Sequence, residues 1–204
     1  MTKKWLRERK GEYYHRMAVV EGYRSRAAYK LLQAAEKYHF IKEGDVVIDF
    51  GAAPGGWMQA TRRLVGEGGY VLGVDLKPIE VLRVANVSSI VGDIEKLDEK
   101  DILKKLPREA DVVLSDISPN ISGVWDLDHA RQIYLSEISL KLAVSVLRVG
   151  GSFYVKVFQG SSFKEFIDKV KVYFRDVRII KPPASRKESA EIYVIAMGFN
   201  GRRM

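Results

Sequence analysis

Seven apolar stretches of strand length, separated by helical or loop segments, constrain what this chain of 204 residues can fold into. The stretches are DVVIDF (45–50), YVLGVDL (70–76), VSSIVGDI (87–94), DVVLSDI (111–117), SFYVKVF (152–158), DVRIIK (176–181) and EIYVIAMGF (191–199). Helical patterns cover 25–38, beginning at Ser25 as an N-cap, 129–151, ending in two glycines, and 161–174. This alternation predicts a mostly parallel sheet with helices on both faces.

The connection between the last two strands predicts that the final strand is reversed. These strands are joined by PPASRKESA, residues 182–190. Parallel neighbours need a crossover of about a dozen residues or more, usually a helix. We therefore expect one α/β domain over residues 1–204, built on a seven-stranded mixed sheet with an antiparallel last strand. A plain dinucleotide-binding domain does not need that reversed strand.

The excess positive charge of the chain is concentrated near its beginning. The net charge is +8, and residues 1–30 hold nine Lys or Arg against three Glu. Trp5 and four tyrosines are interleaved with these cations. Phosphate attraction combined with base stacking is one way to hold single-stranded nucleic acid, so residues 1–24 are interpreted as a basic extension that contributes to RNA binding. The alternative is a solvated basic arm with incidental aromatic residues.

Composition narrows the cellular setting. The chain has no cysteine, so it has neither a disulfide framework nor a thiolate metal site. No apolar stretch approaches the roughly 20 residues that span a bilayer, and the first residues lack the hydrophobic core of a secretory signal. The three histidines are scattered without the spacing of metal ligands. We expect a cytoplasmic protein without a metal and without a membrane partner.

A glycine-rich turn, VIDFGAAPGGW (47–57), leaves the first strand and enters a helix. Glycines at such a turn permit positive φ and close approach of the backbone to a ligand. Ala53 stands where a dinucleotide fingerprint has its second glycine, and the turn lacks the Lys-Ser/Thr pair of a phosphate-binding loop. Asp49 at the end of the strand indicates a cationic or hydroxylated ligand rather than a pyrophosphate.

Four aspartates are expected at the ends of successive strands: Asp49, Asp75, Asp93 and Asp116. Asp75 follows Gly51 by 24 residues, near the roughly 20-residue spacing of a ribose-binding acid. Any one of them is explained by a turn or a helix cap. Together they favour a ligand site, because open α/β sheets bind ligands at the carboxyl ends of their strands.

Lys156 stands between Val155 and Val157 in an apolar strand. Desolvating an ammonium group is costly unless it is paired or neutralised. Two interpretations follow from these residues alone. Lys156 lies on an edge strand and extends its amine to water, or it belongs to a buried polar network.

These motifs, in their order and spacing, resemble those of the FtsJ/RrmJ (RlmE) family of ribosomal RNA 2'-O-methyltransferases. The matching segments are YRSRAAYKL, IDFGAAPGGW, GVDLKP, GDI, LSDISPNISG, FYVKVFQG and EIYVIA, which span nearly the whole chain. The resemblance implies a Rossmann-like class I methyltransferase fold that depends on S-adenosylmethionine (SAM). It also implies a catalytic tetrad of Lys30, Asp116, Lys156 and Glu191.

The resemblance also implies a set of residues that contact the cofactor: Gly55, Trp57, Asp75, Asp93 and Asp116. The loop residues Asp49, Gly51, Pro54 and Gly56 complete the predicted set. For Trp57, a core aromatic at the start of a helix is the alternative.

Each member of the tetrad has a hypothesised role. Lys156 accepts or steers the proton of a ribose 2'-hydroxyl, Asp116 and Lys30 orient the lysine and the ribose, and Glu191 positions Lys156. Burial and a nearby Lys30 would lower the pKa of Lys156, whereas Asp116 would raise it. The sequence leaves the protonation state of Lys156 open.

The substrate implied by the resemblance is a uridine in the A-loop of large-subunit (23S-type) ribosomal RNA. RIIKPPASRKES, residues 178–189, adds cations that could extend the RNA track. Enzymes of the same tetrad that act on a tRNA anticodon loop or a messenger RNA cap remain alternatives. A non-catalytic ribosome-assembly factor is a further alternative. We expect a monomer that acts on the large ribosomal subunit.

Overall fold

A computed structural model describes residues 13–80, 84–186 and 188–204 of the chain. Its strands are β1 (Val46–Phe50), β2 (Tyr70–Asp75), β3 (Val87–Val91), β4 (Ala110–Ser115), β5 (Leu147–Phe158), β6 (Phe174–Ile180) and β7 (Glu191–Phe199). Its helices are α1 (Ala28–Tyr38), α2 (Gly56–Val65), α3 (Glu99–Leu103), α4 (Trp125–Val146) and α5 (Phe163–Tyr173). Residues 13–20 are also helical. Residues 1–12, with Trp5 and half of the predicted basic extension, lie outside the described residues.

The strands form one sheet in the order β3-β2-β1-β4-β5-β7-β6. β7 runs antiparallel to both of its neighbours, β5 and β6, whereas the pairs among β1 to β5 are parallel. The predicted reversal of the last strand is therefore confirmed. The nine-residue connection allows only this direction, because β7 returns beside β6 without a crossover helix.

The sheet separates two apolar cores. Along β5, Phe153, Val155 and Val157 face one core, which is completed by α3, α4 and α5. Tyr154 faces the other core, which is completed by α1 and α2. Successive residues of a strand point to opposite faces, so Lys156 shares its side of β5 with Tyr154. Lys156 therefore lies on the face of the sheet that α1 and α2 cover, and not on the face that α4 covers.

Two helix boundaries differ from the sequence prediction. α4 covers Trp125–Val146 instead of 129–151, because Leu147 is fully buried in extended backbone and pairs with Ala110 of β4. α1 begins at Ala28, so Ser25 is not its N-cap. The backbone carbonyl of Ser25 instead accepts a hydrogen bond from the amide of Ala28 at 3.3 Å, in the turn that precedes α1.

Candidate active site

Lys156 lies inside the sheet, so the interpretation as an edge-strand lysine is wrong. β5 runs between β4 and β7, and the side chain of Lys156 is 4% exposed. In the register of β5 with β7, Lys156 lies opposite Tyr193, and Phe158 lies opposite Glu191. The carboxyl end of β4 lies on the other side and leads into Asp116. The ends of three neighbouring strands, β4, β5 and β7, thus bring their polar residues together at one end of the sheet.

Lys156 Nζ has three polar contacts in this arrangement, two hydrogen bonds and one ion pair. Its Nζ donates to the carbonyl of Asp116 at 2.8 Å and to the hydroxyl of Ser118, and lies 3.2 Å from Asp116 Oδ1. An ammonium group has three N–H donors and no acceptor. A substrate hydroxyl that binds Lys156 Nζ must therefore displace one of these contacts.

A tyrosine joins the two lysines of the predicted tetrad. Tyr193 donates its hydroxyl hydrogen to Asp116 Oδ1 at 2.8 Å and accepts a hydrogen bond from Lys30 Nζ at 2.9 Å. Lys30 Nζ also pairs with Glu191 Oε2 at 3.0 Å. The four predicted residues thus form one continuous network with Tyr193 at its centre.

Glu191 is connected to Lys156 indirectly. Its carboxylate contacts Lys30, whereas Lys156 receives its carboxylate contact from Asp116. Glu191 therefore acts on Lys156 only through Lys30, Tyr193 and Asp116. Lys30 and Lys156 are likewise linked through the Tyr193 hydroxyl and Asp116.

The network favours a charged Asp116 and a neutral Tyr193. Burial alone would raise the pKa of Asp116, but Lys156, Lys30 and the hydrogen bond from Tyr193 outweigh burial and lower this pKa below its ordinary value. Burial, followed by the charge of Asp116, raises the pKa of Tyr193 well above its ordinary value. Tyr193 is thereby kept as a hydrogen-bond donor to the carboxylate.

Tyr193 was not among the residues predicted from the sequence. One signal pointed to it, since residues 191 and 193 lie two apart on a strand and share a face. That signal becomes specific only when the register of β7 on β5 and the packing of α1 are known. Tyr193 is fully buried, with its ring stacked on Tyr154 at a centroid distance of 5.0 Å.

The predicted cofactor loop has the backbone that its glycines suggested. Gly51 and Gly55 have φ values of +78° and +106°. A Cβ on Gly51 would lie 2.6 Å from the side chain of Ile117, and one on Gly55 would lie 2.7 Å from the guanidinium of Arg24. Asp75 anchors the loop, because its carboxylate accepts the amide of Ala53 at 2.9 Å. Close packing and positive φ together require glycine at both positions.

Asp49 is the strongest sign of a ligand at this loop. Its side chain is fully buried, and within the described part of the chain neither carboxylate oxygen has a hydrogen-bond partner. Burial, with added repulsion from Asp116 and Asp75, raises the pKa of Asp49 well above its ordinary value. An orphaned carboxylate beside a glycine loop fits a ligand that brings a cation or a hydroxyl hydrogen.

The other predicted cofactor residues lie around the same end of the sheet. Pro54 and Gly56 continue the loop into α2. Asp93 follows the end of β3 by two residues and accepts the amide of Glu95 at 3.0 Å. Trp57 is buried, donates its indole N–H to the carbonyl of Ala27 at 2.7 Å and stacks on Tyr154. The side chain of Trp57 is thus a core aromatic that ties α2 to the turn before α1.

Arg24 fastens the cofactor loop to the segment that leads into α1. Its guanidinium donates to the carbonyls of Pro54 at 3.1 Å and Glu80 at 2.6 Å. Its backbone amide donates to the side chain of Gln59 at 2.8 Å, and Gln59 in turn donates to the carbonyl of Gly22 at 2.9 Å. The same short segment thereby holds the glycine loop and sets the start of the helix that carries the first lysine of the network.

An open cleft of about 490 Å³ adjoins the network. Its lining consists of Arg26, Lys30, Arg186, Glu188, Ser189 and Glu191. Lys30 and Glu191 belong both to the network and to the wall of this cleft. A substrate in the cleft would therefore contact the tetrad directly.

No group of three or more His, Asp or Glu side chains within residues 13–80, 84–186 and 188–204 has the arrangement of a metal site. None of the helices in these ranges is long and apolar enough to cross a membrane.

Comparisons with known proteins agree with the fold. The family model of FtsJ-like methyltransferases matches residues 23–199. A relative from Methanococcus maripaludis strain C7, named ribosomal RNA large subunit methyltransferase E, is 49% identical over 205 residues, covering 98% of this chain and 78% of the relative. A relative of the same name from Methanothermobacter thermautotrophicus is 44% identical, covering 99% of this chain and 96% of its own length.

Solved structures show the same architecture. A ribosomal RNA methyltransferase structure from Plasmodium falciparum superposes with a TM-score of 0.77 at 30% identity, covering 88% of this chain and all of the other. The fibrillarin pre-rRNA processing protein of Methanococcus jannaschii has a TM-score of 0.60 at 16% identity, covering 79% and 69% of the two chains, and shows the fold alone. The chain therefore belongs to the family of FtsJ-like methyltransferases.

Proposed function

We propose that this methyltransferase uses S-adenosylmethionine to methylate the ribose 2'-hydroxyl of a uridine in the A-loop of large-subunit ribosomal RNA. The observation that carries the chemistry is the buried network of Lys156, Asp116, Tyr193, Lys30 and Glu191 beside an open cleft. The names of the relatives support ribosomal RNA as the substrate class.

The residues around the glycine loop fit SAM. Its ammonium group or its ribose hydroxyls would satisfy the orphaned carboxylate of Asp49, and Asp75 lies at the end of the neighbouring strand. Gly51 and Gly55 give the loop the positive φ and the close packing on Ile117 and Arg24 that shape its backbone. SAM supplies a methyl group on a positively charged sulfur, which becomes neutral on transfer, so the acceptor oxygen needs only orientation and loss of its proton.

The polar network suits that requirement. Lys156 is buried, and its Nζ donates hydrogen bonds to the Asp116 carbonyl and the Ser118 hydroxyl. A ribose hydroxyl that displaced one of these contacts would receive a hydrogen bond from Lys156 or pass its proton to the network. Lys30, on the wall of the cleft, is placed to hold the ribose or its adjoining groups. Orientation of this kind supplies a large part of enzymatic rate enhancement.

The experiment that tests the proposal is methyl transfer to purified large ribosomal subunits from cells that lack this protein, with the methyl group of SAM radiolabelled. Mapping of the label to a 2'-O-methyluridine in the A-loop is the expected result. Label on transfer RNA or on a messenger RNA cap would favour the other substrate branches. Tight subunit binding without any transfer would favour a non-catalytic assembly factor.

A further inference from the structure

The segment between β4 and α4 exposes apolar side chains beside the network. It starts with Asp116 and Ser118, which contact Lys156, and it ends where Trp125 begins α4. Exposed apolar side chains grouped in one short segment indicate a contact surface more strongly than the same residues scattered singly. In this segment and the first turn of α4 the large exposed apolar residues, here called the β4–α4 patch, are Ile121, Val124, Trp125 and Leu127.

Trp125 is the member of the patch whose side chain is held in place. Its indole is 47% exposed and is stacked on Phe158, with a centroid distance of 6.0 Å and an interplanar angle of 18°. It is also stacked on His129, at 5.9 Å and 22°. Both of these rings are buried, and the amide of Ser162 donates a hydrogen bond to His129 Nε2 at 3.2 Å. Two buried rings therefore fix the plane of an indole that leaves nearly half of its surface open.

The backbone that leads to Trp125 is fixed as well. The carboxylate of Asp128 accepts hydrogen bonds from the amides of Ser122 at 2.8 Å and Gly123 at 3.0 Å. It also accepts one from the hydroxyl of Ser122 at 2.7 Å. A contact surface that is ordered before a ligand arrives pays less conformational entropy on binding. The exposed face of Trp125 is therefore prepared for a contact.

The stack adjoins the network through β5. Phe158 lies two residues beyond Lys156, about 7 Å along the strand, and is the register partner of Glu191. Trp125 is thus connected to the network twice, through the ring of Phe158 and through the segment that carries Ser118. A nucleoside whose ribose reaches Lys156 would bring its neighbours in the strand close to the open face of the indole.

We infer that Trp125 stacks on one unpaired base of the RNA, next to the nucleoside whose ribose enters the network. The inference rests on the proposed RNA substrate. Aromatic side chains bind unpaired bases by stacking, because every base has a π-face. The surroundings favour a base over a phosphate, since the first turn of α4 carries Asp126 and Asp128 and no cation. Trp125 is thereby a positioning residue, which holds the strand while the network acts on the ribose.

RNA binding measured in the absence of SAM tests the stack independently of methyl transfer. The measurement is fluorescence anisotropy with a labelled hairpin of the A-loop sequence, comparing the wild type with Trp125→Leu and Trp125→Phe over a range of salt concentrations. Trp125→Leu should weaken binding about 5- to 100-fold, the range for one base stacked on an aromatic side chain. The dependence of affinity on salt should stay unchanged, because no phosphate contact is lost. Trp125→Phe should keep most of the affinity, because it keeps a flat ring.

Tyr134→Leu is the matched control. Tyr134 is an aromatic residue of the same helix that is 52% exposed, and its hydroxyl donates to Glu95 Oε2 at 3.2 Å, beyond the end of β3. Its replacement should leave the affinity for the hairpin within about twofold. Thermal unfolding of the two Trp125 variants measures the packing that the indole shares with Phe158. A loss of affinity that follows Tm rather than the presence of a ring would show that Trp125 supports only the fold.

A hairpin with a single abasic nucleotide identifies the base. At one position next to the target nucleoside, the wild type should lose as much affinity as Trp125→Leu loses on the intact hairpin. Trp125→Leu should lose nothing more at that position, because the base and the indole form one contact. The intact hairpin should also quench part of the tryptophan fluorescence of the wild type, and that part should be absent in Trp125→Phe.

Unchanged hairpin affinity in Trp125→Leu, an equal loss in Tyr134→Leu, or additive losses at every abasic position would overturn the stack. So would the absence of hairpin binding by the wild type. Weaker binding of Trp125→Leu to whole large subunits alone would assign the patch to a ribosomal protein instead, and self-association of the wild type that this variant abolishes would assign it to a second copy of the chain. If hairpin affinity depends on Trp125 but no methyl group is transferred, the proposed reaction fails while the stack stands.

Discussion

Tyr193 donates its hydroxyl hydrogen to Asp116 Oδ1 at 2.8 Å, and this contact joins the last strand of the sheet to the acid that follows β4. The same hydroxyl accepts a hydrogen bond from Lys30 of α1, and Asp116 in turn contacts Lys156. The orientation of Lys156 therefore depends on how α1 packs on the sheet. The four residues of the predicted tetrad thus form, together with Tyr193, a network of five side chains.

Replacement of Tyr193 by Phe removes only the bridging oxygen. We expect kcat to fall about 10- to 100-fold because Lys30 and Asp116 lose their common partner, while the affinity for SAM stays within about twofold. The free energy of unfolding should fall by about 1 to 3 kcal/mol, since two buried polar groups lose a partner. Steady-state methylation kinetics and thermal unfolding measure the two effects.

Tyr154→Phe is the matched control for that variant. Tyr154 is equally buried and stacks on Tyr193, but its hydroxyl makes a long 3.4 Å contact to the backbone carbonyl of Lys30. Its loss should cost stability without a comparable loss of kcat. Equal losses of kcat in the two variants would show that Tyr193 acts through packing rather than through its bridge.

Lys156→Met separates catalysis from cofactor binding. The substitution keeps an unbranched side chain one atom shorter and removes the nitrogen that contacts Asp116 and Ser118. We expect methyl transfer to fall at least about 100-fold and the affinity for SAM, measured by calorimetry, to change less than about twofold. Retained turnover would remove Lys156 from the mechanism.

Lys156→Arg then separates two roles of the same charge. An arginine keeps the positive charge beside Asp116 but is not deprotonated in proteins. Substantial activity in this variant would indicate that the residue orients the hydroxyl, whereas an inactive but stable variant would indicate that it accepts the proton. The contacts that Lys156 Nζ already makes with Asp116 and Ser118 favour orientation in the free protein.

Much of this site could be predicted from the sequence, since the aspartates and Lys156 stand at the ends of recognisable strands. The sheet and the reversal of β7 followed from apolar periodicity and from the short connection 182–190. Two contacts of the site could not be predicted from the sequence. The pairing of Glu191 with Lys30 depends on how α1 packs on the sheet, and the bridge of Tyr193 depends on the register of β7 with β5. Both are set by tertiary packing, which local patterns do not encode.

Asp49→Asn tests whether the buried carboxylate serves the ligand rather than the fold. Because burial raises the pKa of Asp49 in the folded state above the ordinary 3.8, its ionisation destabilises the protein. This destabilisation is absent below pH 3.8, grows as the pH rises through the raised folded pKa and is complete above it. The variant should therefore be more stable than the wild type at neutral pH, with a gain in Tm of about 2 to 4 °C per kcal/mol of relieved burial cost.

The same variant should bind SAM more weakly, by about tenfold or more, because the charged acceptor is lost. Thermal unfolding of the free protein at pH 5 and pH 8, with calorimetric titration of SAM, measures both effects. The difference in Tm between variant and wild type should shrink as the pH falls. A less stable variant with unchanged affinity would show that Asp49 supports the fold instead.

Gly51→Ala tests the cofactor loop against a backbone control within the same chain. Gly44 and Gly51 have nearly equal φ values, +80° and +78°, but a Cβ on Gly44 meets nothing within 4 Å, whereas one on Gly51 meets Ile117 at 2.6 Å. Gly44→Ala should therefore cost only the backbone strain of a left-handed alanine, about 1 to 2 kcal/mol, and leave SAM affinity unchanged. Gly51→Ala should add a displacement of Ile117, which directly precedes the partner of Lys156, Ser118. We expect it to lower SAM affinity at least about tenfold and to reduce kcat as well, and equal behaviour of the two alanine variants would show that the close approach at Gly51 has no part in the site.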